Sequence, residues 1–124
     1  MLEMRRCDVI DITFSGSGGG IRNQNGAVTL RNCRIEGNTA QQGTGIFTGS
    51  SPSTTPSSVT LFNTEVRNNT ATSIVNRIGA GIYNFDGTST VTISNDSFIC
   101  ENDPEATQCE RLDDTSRCFA TCPD

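Results

Sequence analysis

Val28-Thr29-Leu30-Arg31-Asn32-Cys33-Arg34-Ile35 is one of four related octapeptides in this chain of 124 residues. The others read VTLFNTEV at 59–66, VTISNDSF at 91–98 and, in degenerate form, LEMRRCDV at 2–9. Successive copies begin 26, 31 and 32 residues apart, a spacing that is typical of repeat architectures. Each copy alternates apolar, polar and apolar residues at its start, which predicts a half-buried strand. The sequence therefore predicts an all-β protein built from short, recurring strands.

Aligning the four copies places apolar residues in columns. Such columns are typical of parallel strands stacked in register about 4.8 Å apart, whereas an antiparallel sandwich gives no reason for them. The predicted columns are Leu2, Val28, Val59 and Val91; Met4, Leu30, Leu61 and Ile93; Val9, Ile35, Val66 and Phe98; and Ile21, Ile46 and Ile82.

Two further features each recur three times along the chain. A Gly-x-Gly-Ile unit at 18–21, 43–46 and 79–82 predicts a sharp turn that uses the conformational freedom of glycine. The residues Asn32, Asn63 and Asn95 share a column in the aligned octapeptides. Stacked asparagines can hydrogen-bond to one another as a ladder, and asparagine is also common in turns, so both interpretations stay open.

These motifs resemble the right-handed parallel β-helix repeats of the pectin-lyase-like group. In particular they are similar to the repeats of polymorphic outer membrane proteins, which carry a Gly-Gly-Ala-Ile-like turn and a Phe-x-x-Asn corner. The corner reads IEGN at 35–38 and VRNN at 66–69, and it is degenerate at 98–102. The resemblance implies a right-handed parallel β-helix, a solenoid of about four coils. It identifies a fold and not a function, because one fold hosts many activities.

The chain divides into two predicted parts. Residues 1–99 would form the β-helix coils, and residues 100–124 a polar, cysteine-rich cap. The first copy begins at Leu2 without a capping element, and residues 1–20 lack the apolar core of a signal peptide. We therefore expect a piece of a longer solenoid whose export signal and earlier coils lie upstream. In the isolated piece, exposed coil edges would allow self-association.

The chain contains six cysteines. Two disulfides among the four cysteines of the cap would stabilise this segment, and three pairings are open. A zinc site is the alternative, but the spacing matches no common zinc pattern, and we expect no metal. Cys7 and Cys33 share a column and are predicted to form either a disulfide or two packed thiols. This cysteine content predicts an extracellular or cell-surface location. The candidates for disulfide bonds are Cys7, Cys33, Cys100, Cys109, Cys118 and Cys122.

The composition limits the chemistry available. There is no histidine, and all nine basic residues are arginine, which removes the usual general base and the phosphate-loop lysine. A net charge of −5 with scattered arginines argues against nucleic-acid binding, and no apolar run predicts a transmembrane helix. Glu65, in an Asn-Thr-Glu sequence, lacks the other residues of polygalacturonases and is interpreted as a solvated corner residue. We expect no catalytic residues and no cofactor.

A surface column is the best functional candidate. The residue after each Gly-x-Gly-Ile unit should point outward, which places Arg22, Phe47 and Tyr83 in line, with Phe62 on the neighbouring strand. Outward aromatic rings can stack on sugars or pack against a protein. The alternative is that the long loop after Gly49 covers them. The sequence predicts a non-catalytic surface module for adhesion or structural display, whose partner is a polysaccharide or a surface protein. The competing functions are a polysaccharide-binding module and a remnant of a polysaccharide lyase or hydrolase.

Overall fold

The computed structural model describes residues 2–49, 57–73, 79–85, 89–104, 107–112 and 115–123. Within these ranges the named elements are all β-strands, as predicted, and no helix could span a membrane. The strands are β1 (Leu2–Arg5), β2 (Asp8–Ile10), β3 (Ile21–Gln24), β4 (Ala27–Arg31), β5 (Arg34–Glu36), β6 (Thr39–Ala40), β7 (Ile46–Gly49), β8 (Ser57–Phe62), β9 (Glu65–Arg67), β10 (Thr70–Ala71), β11 (Ile82–Asn84), β12 (Ser89–Ile93), β13 (Phe98–Cys100), β14 (Cys109–Glu110) and β15 (Cys118–Phe119).

The strands form four sheets, and every strand pair among the described residues is parallel. The first sheet has the order β1-β4-β8-β12, the second β2-β5-β9-β13-β15 and the third β3-β7-β11-β14, while β6 and β10 form a small pair. Strands that are consecutive in sequence belong to different sheets. Each strand instead pairs with its equivalent in the next copy of the motif, as the column alignment predicts.

The strand register confirms three of the four predicted columns. In the first sheet Val28 lies beside Val59 and Leu30 beside Leu61, and in the third sheet Ile46 lies beside Ile82. All but one of these side chains are completely buried, and Val28 is 6% exposed. Because side chains alternate between the two faces of a strand, the apolar members of each copy all point into one shared core.

The prediction for the third column is wrong at its last member, by one residue. Ile99, and not Phe98, pairs with Val66, and Ile99 is completely buried. The last copy is one residue longer than the others before this position. The backbone N–H of Thr64 donates to the hydroxyl of Ser97 at 3.0 Å, so the register is restored at Ser97 and the additional residue lies in the corner before it.

The two glycines of each Gly-x-Gly-Ile unit have different functions. The first adopts a positive φ, for example +56° at Gly43 and +65° at Gly79, which an L side chain rarely adopts. The second lies against the next copy of the motif. A Cβ on Gly20 would lie 2.6 Å from the carbonyl oxygen of Gly45, and a Cβ on Gly45 would lie 2.5 Å from that of Gly81. The unit therefore combines a turn with a contact between backbones that leaves no room for a side chain.

The C-terminal segment continues two of the sheets and is held by disulfides. Strand β14 extends the third sheet and β15 extends the second. Cys100 is bonded to Cys122 and Cys109 to Cys118, which selects one of the three open pairings and excludes a zinc tetrathiolate. The first sheet gains no strand beyond β12 among the described residues.

Candidate functional site

The predicted aromatic column is aligned, but it is not exposed. Arg22 pairs with Phe47, and Phe47 pairs with Tyr83, in the register of the third sheet. Phe47 and Tyr83 lie on the strand face opposite to Ile46 and Ile82, as predicted, but they are only 9% and 5% exposed, so both rings are covered. Phe85 packs against the two rings, with centroid distances of 5.8 and 6.0 Å. The guanidinium of Arg22 lies 5.2 Å from the Phe47 centroid, and it covers part of the same ring.

Phe62 is exposed, as predicted, but it does not join this group. It lies on the first sheet and is 36% exposed, with the guanidinium of Arg31 4.2 Å from its ring centroid. The long loop that was the alternative cover for Phe47 and Tyr83 falls mainly on residues 50–56, which lie outside the described residues.

Phe85 is the aromatic residue that the sequence analysis missed. It is 40% exposed and lies directly beside the column. Tyr83 and Phe85 are two positions apart, and residues at that spacing on an extended chain point to the same side. Because β11 ends at Asn84, this spacing alone does not place Phe85, and its position depends on tertiary packing.

A hollow of about 300 Å³ lies beside these rings. We call it the aromatic hollow; it is lined by Ser17, Arg22, Gln24, Gln42, Phe47, Gly49 and Phe85. Arg22 donates to the carbonyl oxygen of Ser17 at 3.4 Å, and among the described residues it forms no ion pair with a carboxylate. Its guanidinium, two carboxamides and an exposed ring provide hydrogen-bonding groups beside an apolar surface.

The predicted asparagine ladder is formed only in part. The side-chain amide of Asn63 donates to the side-chain oxygen of Asn32 at 2.7 Å, and both residues have positive φ values of +46° and +56°. Asn95 is exposed in a turn and does not extend this pair, because the additional residue in its corner shifts it out of register. Asp96 instead accepts the backbone N–H of Asn63 at 3.0 Å and is bonded to the Ser94 hydroxyl. These two hydrogen bonds, that of Ser94 first, lower the pKa of Asp96.

A second asparagine column is buried and continuous. Asn38, Asn69 and Asn102 are the last residues of the corner motifs, and each is at most 2% exposed. Asn38 donates to the side-chain oxygen of Asn69 at 3.0 Å, and Asn69 donates to that of Asn102 at 3.0 Å. Asn102 donates to the side-chain oxygen of Gln108 at 2.9 Å, so the column ends in the cap. The apparent degeneracy of the last corner motif is thus an effect of register, since the motif begins at Ile99.

Cys7 and Cys33 are both free thiols, and Cys33 is buried. Burial, together with the neighbouring Cys33 thiol, raises the pKa of Cys7 to about 12. The Cys33 thiol donates to the carbonyl oxygens of Arg31 at 3.3 Å and Met4 at 3.5 Å. Of the two predicted states, the structure therefore contains the packed thiols.

Glu65, the weak catalytic candidate, is half-buried on β9. It pairs with Arg34 on one side and with Phe98 on the other. Together with Asp96 it contributes to a second, more open hollow of about 350 Å³. The lowered pKa of Asp96 keeps this carboxylate ionised at neutral pH, so it is unsuited to serve as a general acid there.

These are the sites that the described residues form, and comparison with known proteins supplies no precedent for them. No protein-family model, no curated protein and no solved structure matches the chain.

Proposed function

We propose that this chain is a non-catalytic, extracellular or cell-surface module that serves adhesion or structural display. In this proposal the parallel sheets are the faces of a right-handed parallel β-helix of about four coils, residues 1–99, closed by a cysteine-rich cap at residues 100–124. The exclusively parallel pairing of equivalent strands supports this architecture. The disulfides support the location, because such bonds persist in oxidising compartments.

The observation that carries the proposal is the buried column from Asn38 to Gln108. Every member donates to the next, so each copy of the motif is fixed to its neighbour by polar bonds inside the core. Buried hydrogen bonds that are fully satisfied favour a single, rigid arrangement. A rigid rod with variable outer loops suits the display of surfaces to a partner.

The first experiment addresses catalysis and oxidation state together. The chain is produced with an added export signal and then incubated with neutral and acidic polysaccharides. We expect no release of reducing or unsaturated sugar ends. We also expect the mass of the intact protein to be four hydrogens lower than that of the fully reduced chain, because of the two disulfides. Release of product would contradict the proposal and revive a lyase or hydrolase remnant. A fully reduced, folded protein would contradict the surface location.

The second candidate function is polysaccharide binding at the aromatic hollow. The observation that favours it is the exposed ring of Phe85 beside the guanidinium of Arg22, within a hollow large enough for a sugar residue. Aromatic rings stack on the apolar faces of sugars, and guanidinium and carboxamide groups bind hydroxyl or carboxylate oxygens.

Affinity electrophoresis against the same polysaccharides tests this binding. We expect Phe85→Ala and Arg22→Gln each to weaken retention about tenfold or more, as is common for anchor residues. Phe62→Ala is the matched control, because Phe62 is similarly exposed and stacked by an arginine but lies on another sheet. Equal retention of all variants would rule out the aromatic hollow as the binding site. Loss of binding in the Phe62 variant alone would instead indicate a binding site on the first sheet.

A further inference from the structure

The aromatic hollow contains a positive charge and, among the described residues that line it, no negative charge. Arg22 supplies the positive charge, and the other side chains of the lining are uncharged. The second hollow differs, because Arg34 shares it with the carboxylates of Glu65 and Asp96. The two hollows therefore differ in local charge, within a chain whose net charge is −5.

The guanidinium of Arg22 keeps available an edge that can bind a carboxylate. Its Nη1 donates to the carbonyl oxygen of Ser17, and this side chain forms no other hydrogen bond or ion pair with the described residues. The remaining Nε–H and Nη2–H form a fork that can hold a carboxylate by two parallel hydrogen bonds. Four other arginines are instead paired with carboxylates, namely Arg5, Arg31, Arg34 and Arg67.

Gly49 explains why there is space beside Arg22. In the third sheet Gln24 pairs with Gly49, just as Arg22 pairs with Phe47. Arg22 and Gln24 are two positions apart on β3, so they point to the same side, about 7 Å apart along the strand. Because Gly49 has no side chain, the hollow lies between Gln24 and the exposed ring of Phe85. A sugar ring over Gly49 would therefore contact an aromatic ring, a carboxamide and a guanidinium.

We propose that the aromatic hollow binds an acidic sugar residue of a polysaccharide, with the carboxylate of a uronate bound by Arg22 and the sugar ring stacked on Phe85. This inference rests on the second candidate function, polysaccharide binding at this hollow, and adds the class of sugar. The planar carboxylate matches the planar fork of the guanidinium, and the carboxamide of Gln24 offers a donor and an acceptor to hydroxyl groups. A net charge of −5 disfavours general binding of polyanions, so recognition of an acidic polymer has to be local.

Affinity electrophoresis with two forms of one polymer tests the class of sugar. One gel contains hyaluronan, in which every second sugar is glucuronate, and the other contains hyaluronan whose carboxyl groups have been reduced to primary alcohols. EDTA is present in both gels, so that no metal ion bridges polymer and protein. We expect the original chain to bind hyaluronan about tenfold or more tightly than the reduced polymer, because the reduced polymer lacks the charge-assisted hydrogen bonds.

Three variants separate the contribution of charge from that of stacking. Arg22→Gln should bind the two polymers equally, whereas Phe85→Ala should bind both more weakly and keep the preference for hyaluronan. Arg34→Gln is the matched control, because it changes the net charge by the same amount at an exposed arginine of the second hollow, and it should keep the preference. Arg22 is exposed on β3, so its replacement removes no core contact.

The outcomes distinguish this inference from the function on which it rests. Equal binding of the two polymers, weakened in Phe85→Ala, would overturn the acidic sugar and leave polysaccharide binding at the hollow in place. A preference for hyaluronan that Arg22→Gln retains would overturn the assignment to Arg22. Tighter binding of dextran sulfate than of hyaluronan would overturn the carboxylate in favour of a sulfate ester. Absence of binding to both forms of hyaluronan would also overturn the inference, and the wider set of polysaccharides then decides separately whether the hollow binds any sugar.

Discussion

One oxygen atom of Asn69 accepts two hydrogen bonds from Asn38. The side-chain amide and the backbone N–H of Asn38 both donate to it at 3.0 Å, and both residues are completely buried. The same double acceptance recurs between Asn69 and Asn102. Asn69 and Asn102 thus each satisfy two donors of the preceding copy of the motif, and a single side chain connects two copies.

Replacing Asn69 with leucine should therefore be strongly destabilising. The substitution leaves two buried donors of Asn38 without an acceptor and removes the side-chain donor to Asn102, which keeps only the backbone N–H of residue 69. We expect a loss of about 3 kcal/mol or more in the free energy of unfolding. Urea denaturation measures it. The matched control is Asn63→Gly, which keeps the positive φ but removes an exposed asparagine bond, and it should cost about 1 kcal/mol at most. Similar losses in both variants would contradict a special function for the buried column.

Gly45→Ala should also destabilise the chain. Its Cβ would lie 2.5 Å from the carbonyl oxygen of Gly81 and 2.6 Å from a methyl carbon of Val66, so the backbones must separate. We expect a loss of about 3 kcal/mol, measured by urea denaturation. Gly16→Ala is the comparison variant. Its new Cβ would lie 2.9 Å from the exposed ring of Phe14, and this ring can move aside. A stable Gly45 variant would show that the contact between copies is not tightly packed.

Removing the disulfide between Cys109 and Cys118, by replacing both residues with alanine, should lower the free energy of unfolding by about 3 kcal/mol. Its short closed loop restricts the unfolded chain, and β14 loses its covalent link to β15. Guanidinium unfolding with and without reductant measures this loss. Reductant should destabilise the original chain more than the variant, which keeps only one disulfide. An equal effect of reductant on both proteins would contradict a stabilising contribution from this bond.

Cys7 should be unreactive at neutral pH and should couple stability to alkaline pH. Its pKa is raised to about 12, from 9.0, by burial and by the Cys33 thiol, so the folded state holds the proton more tightly than the unfolded state. This contribution to stability is complete below pH 9 and is lost between about pH 9 and pH 12. The urea concentration at the midpoint of unfolding should therefore fall as the pH rises through this range, and it should fall less steeply in Cys7→Ser than in the original chain. Rapid alkylation of Cys7 by iodoacetamide at pH 8 in the folded chain would contradict the raised pKa.

The parallel architecture was readable from the sequence because its signal is periodic. Residues such as Val28 and Val59 occupy equivalent places in successive copies, and parallel strands bring equivalent places together. Register was lost only in the last copy, at Asn95 and Phe98, where one additional residue in a corner shifts the alignment. Corners point outward and tolerate such insertions, and the sequence carries no mark of which residue is the additional one.

The candidate site was harder to predict. Period-two alternation gives the side of a strand on which Phe47 lies, but not what covers that side. Phe85, which packs against Phe47 and Tyr83, comes from beyond the end of β11, and its position depends on tertiary packing. The asparagine columns posed a similar problem. Asn32 and Asn38 each have equivalents in two further copies, and only the depth of each corner decides which column is buried.

The hydrogen bonds between the side chains of the buried column all run in one direction. Each asparagine amide donates one hydrogen to the next side-chain oxygen of the column and the other to a backbone carbonyl oxygen of the preceding copy. The oxygen of Gln108 is the final side-chain acceptor, and the Gln108 amide donates to the carbonyl oxygen of Phe119 at 2.8 Å. An interior asparagine therefore meets the same surroundings wherever it stands in the series. Gene duplication or deletion of one whole unit would leave every donor with an acceptor, whereas a change of a few residues inside a unit would not. Length is thus a property that evolution can alter in steps of one unit while the terminal glutamine stays in place.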